Sequence, residues 1–221
     1  MRLLKTISHL LFPPKCLLCR RILDETELDL CHHCRIEAPE APISRKKLPF
    51  VDSWASVWYY EERARASILR YKFYGARSNA QGYGRLLSMK LLQAHPEGFD
   101  MLTWVPISRL RKLRRGYDQV QLLAEAVGKE LCLEPVPLLK KIRHNPPQSG
   151  INGIAQRRAN VLGVYQITQA GLIKGKRVLL LDDVITTGAT VGECARVLLT
   201  AGAKEVHCGS VAVARNHANH K

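Results

Sequence analysis

The sequence predicts an α/β fold: a parallel sheet with helices on both faces, preceded by a small module that carries four cysteines. Two observations predict it. From residue 51 onward, short apolar runs of strand character alternate with stretches of helical periodicity. Ahead of residue 48, four of the seven cysteines fall as two Cys-x2-Cys pairs. The 221 residues suit one full-sized domain with a satellite, so residues 1–48 are read as the module and 49–221 as the α/β domain. With 46% apolar and 24% charged residues, disorder is excluded. No apolar run approaches the roughly 18 residues needed to cross a bilayer, so no membrane span is expected.

Leu3, Leu4, Ile7, Leu10 and Leu11 recur at helical spacing, predicting a short amphipathic helix over 2–11 that Pro13-Pro14 stops. It suits packing on its own domain, or docking on a partner or membrane. The cysteine module follows, and Pro39, Pro42 and Pro49 with Arg45-Lys46-Lys47 read as a linker. Strand (51–60), helix (62–73), helix (79–94), strand (101–107), helix (118–131) and strand (135–139) come next. A Pro/Gly-rich loop spans 143–153; then come a short helix, strands at 161–167 and 176–182, a helix from about 189 to 201, and a last strand over 204–214. No repeat of 20 to 50 residues is visible.

Cys16, Cys19, Cys31 and Cys34 form two knuckles, each folding both thiolates toward one point. Two such knuckles complete the tetrahedral sulfur shell of a structural zinc ion, and a closed four-thiolate site leaves no position for a reactive water. The alternative, buried or redox-active thiols, needs no matched pairs. His32 and His33 read as spectators. Cys132, Cys194 and Cys208 lie in apolar surroundings, so the cysteine usage fits a reducing cytoplasm rather than a disulfide framework.

A second constellation runs from Val178 to Thr190 as VLLLDDVITTGAT. An apolar run fit for a central parallel strand ends in Asp182 and Asp183, and a hydroxyl-rich turn then opens a helix. In an open α/β sheet, ligands bind beyond the carboxyl ends of the strands, where the first amides of the next helix attract an anion. Thr186, Thr187 and Thr190 add hydroxyls, and Gly188 lets the backbone come close to a phosphate. Two carboxylates suit vicinal ribose hydroxyls, so a sugar phosphate satisfies both halves. Competing motifs fail: no Gly-x4-Gly-Lys-Ser/Thr occurs, and Gly82-Tyr83-Gly84 is followed by Leu87 where a dinucleotide fingerprint needs glycine.

Those thirteen residues resemble the phosphoribosyl pyrophosphate signature of the type I phosphoribosyltransferases. With FPPKCLLC, CHHC, RYKFYG (Arg70 to Gly75), VPISRLRKLRRGYDQVQLLA (Val105 to Ala124) and PPQSGINGIAQRRANVLGVY (Pro146 to Tyr165), the whole chain resembles the ComF/ComFC competence family. The resemblance implies a type I phosphoribosyltransferase-like domain, a zinc module where salvage enzymes carry a base-binding hood, and a role in natural transformation or use of external DNA. It implies that Asp182 and Asp183 meet the ribose hydroxyls as the candidate catalytic pair. Thr186, Thr187, Gly188, Ala189 and Thr190 would hold the 5-phosphate, and magnesium would accompany the pyrophosphate. Asp118 stands where the family carries asparagine.

The formal charge of +15 is unevenly spread: +3 over residues 1–50, +2 over 51–104, +10 over 105–177 and zero over 178–221. Such a bias attracts polyanions. Its centre is Arg109-x-Arg111-Lys112-x-Arg114-Arg115-Gly116-Tyr117. In the type I fold a loop at this place holds pyrophosphate, which assigns Arg109 to the donor. Arg111, Lys112, Arg114 and Arg115, with Tyr117 as a stacking face, suit single-stranded DNA, and a solvated basic turn is the bland alternative. Arg157 and Arg158 belong to the same DNA-facing set, or are ordinary helix-surface charge. Lys72 is either a stem packed on aromatics with its head in water or a phosphate contact.

Three functions compete at this level. The first is a cytoplasmic DNA-uptake factor that binds single-stranded DNA and phosphoribosyl pyrophosphate, alone or with other DNA-uptake proteins. The others are an active phosphoribosyltransferase of unknown acceptor and a zinc-ribbon partner-binding module with a vestigial site.

Overall fold

The computed structural model describes residues 13–43, 48–143 and 154–215. The predicted helix over 2–11 and nearly all of the predicted loop over 143–153 lie outside them.

In the module, Cys31 caps helix α1 (His32–Glu37), its Sγ accepting the Cys34 amide at 3.4 Å. The chain then forms β1 (Ser53–Tyr59), α2 (Glu62–Phe73), α3 (Asn79–Ala94) and β2 (Met101–Trp104). Next come α4 (Arg109–Arg115), α5 (Gln119–Leu131), β3 (Leu139–Lys141), α6 (Ile154–Val161) and β4 (Tyr165–Ile167). Last are β5 (Arg177–Ile185), α7 (Ala189–Thr200) and β6 (Glu205–Val213).

Four strands make a parallel sheet in the order β1-β6-β5-β2. Leu179 and Leu181 of β5 join one hydrophobic cluster while Val178 and Leu180 join the other, which is why this strand reads as an unbroken apolar run. The first cluster unites α2, α3 and α5 with the cysteine module through Leu17, Leu18, Tyr71, Tyr83 and Leu123. The second gathers α7 with Leu139 of β3 and Tyr165 of β4. Within α5, Val120, Leu123, Ala124 and Val127 form the buried stripe, and Asp118 caps its start by accepting the Val120 and Gln121 amides at 3.0 and 3.1 Å.

The glycines that fail as a dinucleotide fingerprint serve helix packing. A Cβ on Gly82 would stand 2.6 Å from Asp29 Oδ1 and 2.8 Å from Leu17 of the cysteine module; on Gly84 it would stand 2.6 Å from Ala126 of α5. The module is seated further by Arg85, whose Nε donates to Asp29 Oδ2 at 2.9 Å, and by Arg70, whose Nη2 donates to the Leu17 and Leu18 carbonyls at 3.0 and 2.8 Å. On leaving the module the chain runs antiparallel to β1: Tyr59 donates to the Pro39 carbonyl at 2.6 Å and Ala41 to the Val57 carbonyl at 3.1 Å.

Four expectations are corrected. The strand over 135–139 shrinks to one bridge between Pro135 and Leu102, since Pro135 and Pro137 offer no amide to a ladder, and the chain instead forms β3 beyond it. The strand over 161–167 begins later, because α6 extends to Val161 and Gly163 breaks it at φ +67°. β3 and β4 pair antiparallel in a sheet of their own. The basic run, which the resemblance puts in a loop, is a helix: Ser108 caps it, accepting the Arg111 amide at 3.4 Å, and Gly116 stops it at φ +75°.

At the amino ends of β1 and β6 a polar chain closes the sheet. Ser53 Oγ lies 2.6 Å from His95 Nε2 and 2.9 Å from His207 Nδ1. Glu97 holds the far side of His95 at 3.1 Å and Glu205 the far side of His207 at 3.3 Å. No helix among the described residues is long and apolar enough to cross a membrane.

Candidate functional site

The carboxyl end of β5 carries the two acids. Asp183 is 6% exposed; its Oδ1 pairs with Lys72 Nζ at 2.7 Å and its Oδ2 accepts from Gln119 Nε2 at 2.8 Å. Lys72 therefore ends on a carboxylate, in place of the predicted solvent-exposed head or phosphate contact. Helix α2 delivers this ammonium, and the first residue of α5 delivers the amide. Gln119 is 2% exposed and its Oε1 has no hydrogen-bond partner among the described residues. Asp182 is half-buried and accepts the Asp183 amide at 2.8 Å. Burial first, then the neighbouring Asp183 charge, pushes the Asp182 carboxyl far above the ordinary carboxylate range.

Immediately downstream, Thr186, Thr187 and Thr190 are half-buried and Gly188 adopts φ +74° at the start of α7. No side chain caps α7, and Thr187 Oγ1 accepts the Ala189 amide at a long 3.4 Å. The turn thus offers hydroxyls and helix-terminal amides to an anion. A Cβ on Gly188 would meet Leu48 Cδ2 at 2.7 Å, so the chain leading from the module leans on this turn.

Helix α4 sorts its cations by face. Arg111 and Arg115, four residues apart, are half-buried, whereas Arg109, Lys112 and Arg114 are exposed. Burial lowers the pKa of Arg115, and the Asp183 charge acts against that shift. Arg111 acts on Lys141 of β3, which burial, then Arg111, bring down to about 8, with Asp182 opposing. Of the cations assigned to DNA from the sequence, Arg115 thus lies within reach of the Asp183 charge and Arg111 within reach of Lys141, while Arg109, assigned to the donor, is exposed. Arg157 and Arg158 lie on α6, with side chains outside the described residues. Tyr117 is no stacking face: it is 8% exposed, its hydroxyl donates to the Tyr71 carbonyl, and Arg77 lies 4.5 Å over its ring.

Sequence reasoning missed Gln119 and Lys141. Neither has a motif of its own, since one is the first helical residue after a cap and the other ends a three-residue strand. The sorting of Arg111 and Arg115 was within reach, because Ser108 and Gly116 bracket the run as helix start and stop signals.

In the module, the Sγ atoms of Cys16, Cys19, Cys31 and Cys34 all lie within 4.8 Å of one another. Four thiols converging on one point fit a tetrahedral zinc ion. His33 turns away to Glu37 at 3.0 Å, so it stays outside the sulfur shell as expected. Of the remaining cysteines, Cys194 and Cys208 are buried, but Cys132 is exposed at the end of α5, contrary to expectation.

A family model described as the phosphoribosyl transferase domain matches residues 119–221, and one described as the double zinc ribbon domain matches 7–46. Competence protein F of Haemophilus influenzae is 28% identical over 195 residues, 82% of this chain and 83% of that protein. The DNA utilization protein YhgH of Escherichia coli K12 is 28% identical over 200 residues, 86% of each chain. Competence protein ComFC of Streptococcus pneumoniae is 30% identical over 156 residues, 70% of this chain and 65% of that protein.

Proposed function

The chain belongs to the ComF/ComFC family of competence and DNA-utilization proteins, with a phosphoribosyltransferase-like domain behind a zinc ribbon, and from that premise we propose that it handles incoming DNA by binding phosphoribosyl pyrophosphate and single-stranded DNA side by side. The donor, with magnesium on its pyrophosphate, would occupy the carboxyl end of β5. Asp182 and Asp183 would accept from the ribose hydroxyls, and the turn from Thr186 to Thr190 would take the 5-phosphate. Arg111, Arg115 and Lys141 would face the pyrophosphate, while Arg109, Lys112 and Arg114 would follow the phosphates of a single strand.

What carries the reading is the division of α4. One helix has two half-buried cations, of which Arg115 lies within reach of the Asp183 charge, and three exposed ones, Arg109, Lys112 and Arg114. A site for one small anion needs no second, outward set.

The test is calorimetric titration with phosphoribosyl pyrophosphate and magnesium, with fluorescence anisotropy on a labelled single strand across a salt series. Three outward contacts give a slope of log K against log salt of about −2, at about −0.7 per contact. Arg109→Ala with Arg114→Ala should flatten it by about 1.4 without altering the calorimetric titration. No heat of binding refutes the donor site, and a slope near zero refutes the DNA surface. Pyrophosphate release with and without single-stranded DNA then separates binding from transfer.

A further inference from the structure

Helix α2 ends in two aromatic residues that stand in water, Phe73 at 57% and Tyr74 at 79% exposure. Their neighbour Lys72 has its ammonium 2.7 Å from Asp183, so the helix that carries Phe73 ends beside the crevice and Tyr74 follows as its cap residue. The Arg115 guanidinium lies over the Phe73 ring, 4.8 Å from its centroid, and ties this helix end to α4 and its exposed cations Arg109, Lys112 and Arg114. Exposed rings beside a row of cations match one ligand in both respects: bases stack on aromatic faces while the backbone phosphates pair with the cations.

We propose that Phe73 and Tyr74 are a stacking platform that holds unpaired nucleobases of a single strand at the mouth of the crevice. The proposal rests on the single-strand reading above and adds what that reading lacks, a contact to bases. Phosphates along α4 fix where the strand lies; the rings select strands whose bases are unpaired, since the bases of a duplex are stacked on each other and cannot reach them. Stacking tolerates any base, so the platform discriminates by strandedness and not by sequence. It also delivers a base, or a strand end, next to the carboxylates of Asp182 and Asp183, where an acceptor would have to stand.

The experiment uses the full zinc-loaded chain and fluorescence anisotropy with three labelled probes: oligothymidylate, an abasic strand of equal length, and a duplex. Tyr74→Ala should weaken oligothymidylate binding about tenfold and leave both the salt slope and the affinities for the abasic strand and the duplex unchanged. Tyr74→Trp should restore the affinity, and its exposed indole should be quenched on addition of oligothymidylate. Because Phe73 also carries Arg115, Phe73→Leu serves as the second variant, with the same pattern expected. Unchanged oligothymidylate binding in both alanine and leucine variants, or equal losses on all three probes, overturns the platform while leaving the single-strand reading intact. Absence of oligothymidylate binding in the unsubstituted protein overturns both. Loss of binding to phosphatidylglycerol vesicles in Tyr74→Ala, with DNA binding unaffected, would assign the rings to a lipid surface and also overturns the proposal.

Discussion

The two ends of the parallel sheet spend polar side chains in opposite ways. At the amino end, Ser53 joins His95 and His207, and Glu97 and Glu205 close the chain on either side. At the carboxyl end, two acids sit side by side on β5, burial and then the charge of Asp183 raise the pKa of Asp182, and the buried Gln119 Oε1 has no partner among the described residues. Bonds of the first kind are satisfied within the protein and hold it together. An arrangement of the second kind costs stability and leaves binding capacity for something else. The difference teaches where to look for function: one end is closed on itself, and the other leaves a buried polar atom unsatisfied.

Removing zinc should sharpen the contrast most. The module rests on α2 through Arg70 and Leu17, and α2 also delivers Lys72 to Asp183. Structural zinc in finger peptides is held with roughly 10 to 16 kcal/mol, so chelation of the reduced protein should unfold residues 13–43 and speed amide hydrogen exchange along α2. Amides of β6 near His207 should keep their protection. Equal loss at both ends would show that the ends are not separable.

Single substitutions give the next largest effect. Asp183→Ala strands a largely buried ammonium, at a cost of about 3 kcal/mol, and should abolish donor binding in calorimetry. Ser53→Ala leaves imidazole nitrogens without their shared hydroxyl and should cost about 1 to 2 kcal/mol in denaturant unfolding. Donor affinity should not change. A Ser53→Ala protein with weakened donor binding would break the comparison.

The two ends should also answer pH oppositely. Asp182 titrates above its unfolded value, so folding favours its protonated form: that stabilisation is complete below the unfolded carboxylate pKa and is lost as pH rises through the folded one. Asp182→Asn should therefore raise the stability at pH 8 by about 1 kcal/mol, allowing for partial exposure, yet do nothing at pH 3. His207 is shifted down by burial and by His95, so its neutral form is favoured and its contribution is lost as pH falls below about 6.5. Thermal unfolding of His207→Gln should show a shallower acid slope, the smallest of these effects. An Asp182→Asn protein less stable than its parent at pH 8 would contradict the cost assigned to the crevice.

Much of this was legible in the sequence, and for identifiable reasons. The run from Val178 to Ile185 had to be a central strand, because only burial on both faces explains four consecutive apolar residues between polar ends. The cysteine quartet was legible from its spacing alone. What stayed hidden depended on distance along the chain. Lys72 and Gln119 meet at Asp183 from helices 47 residues apart in sequence, and no local pattern records that meeting. Tyr117 looked like a free ring because the sequence does not reveal that its hydroxyl reaches back to Tyr71.

The strip of chain that leaves the module along β1 has one more consequence. Parallel sheets are open-ended, and an unguarded outer strand recruits others like it. Here the segment lying outside β1 is the stretch from Pro39 to Pro42, bridged to it at Glu40 and Trp58. Neither proline has an amide hydrogen, the Glu40 amide is taken by the Ala38 carbonyl at 2.7 Å, and the Ala41 amide already faces Val57. Another chain laid alongside would find no donor. The connector that joins the two parts is thus also the border at which the sheet stops growing, and on this side the chain is kept from polymerising with copies of itself.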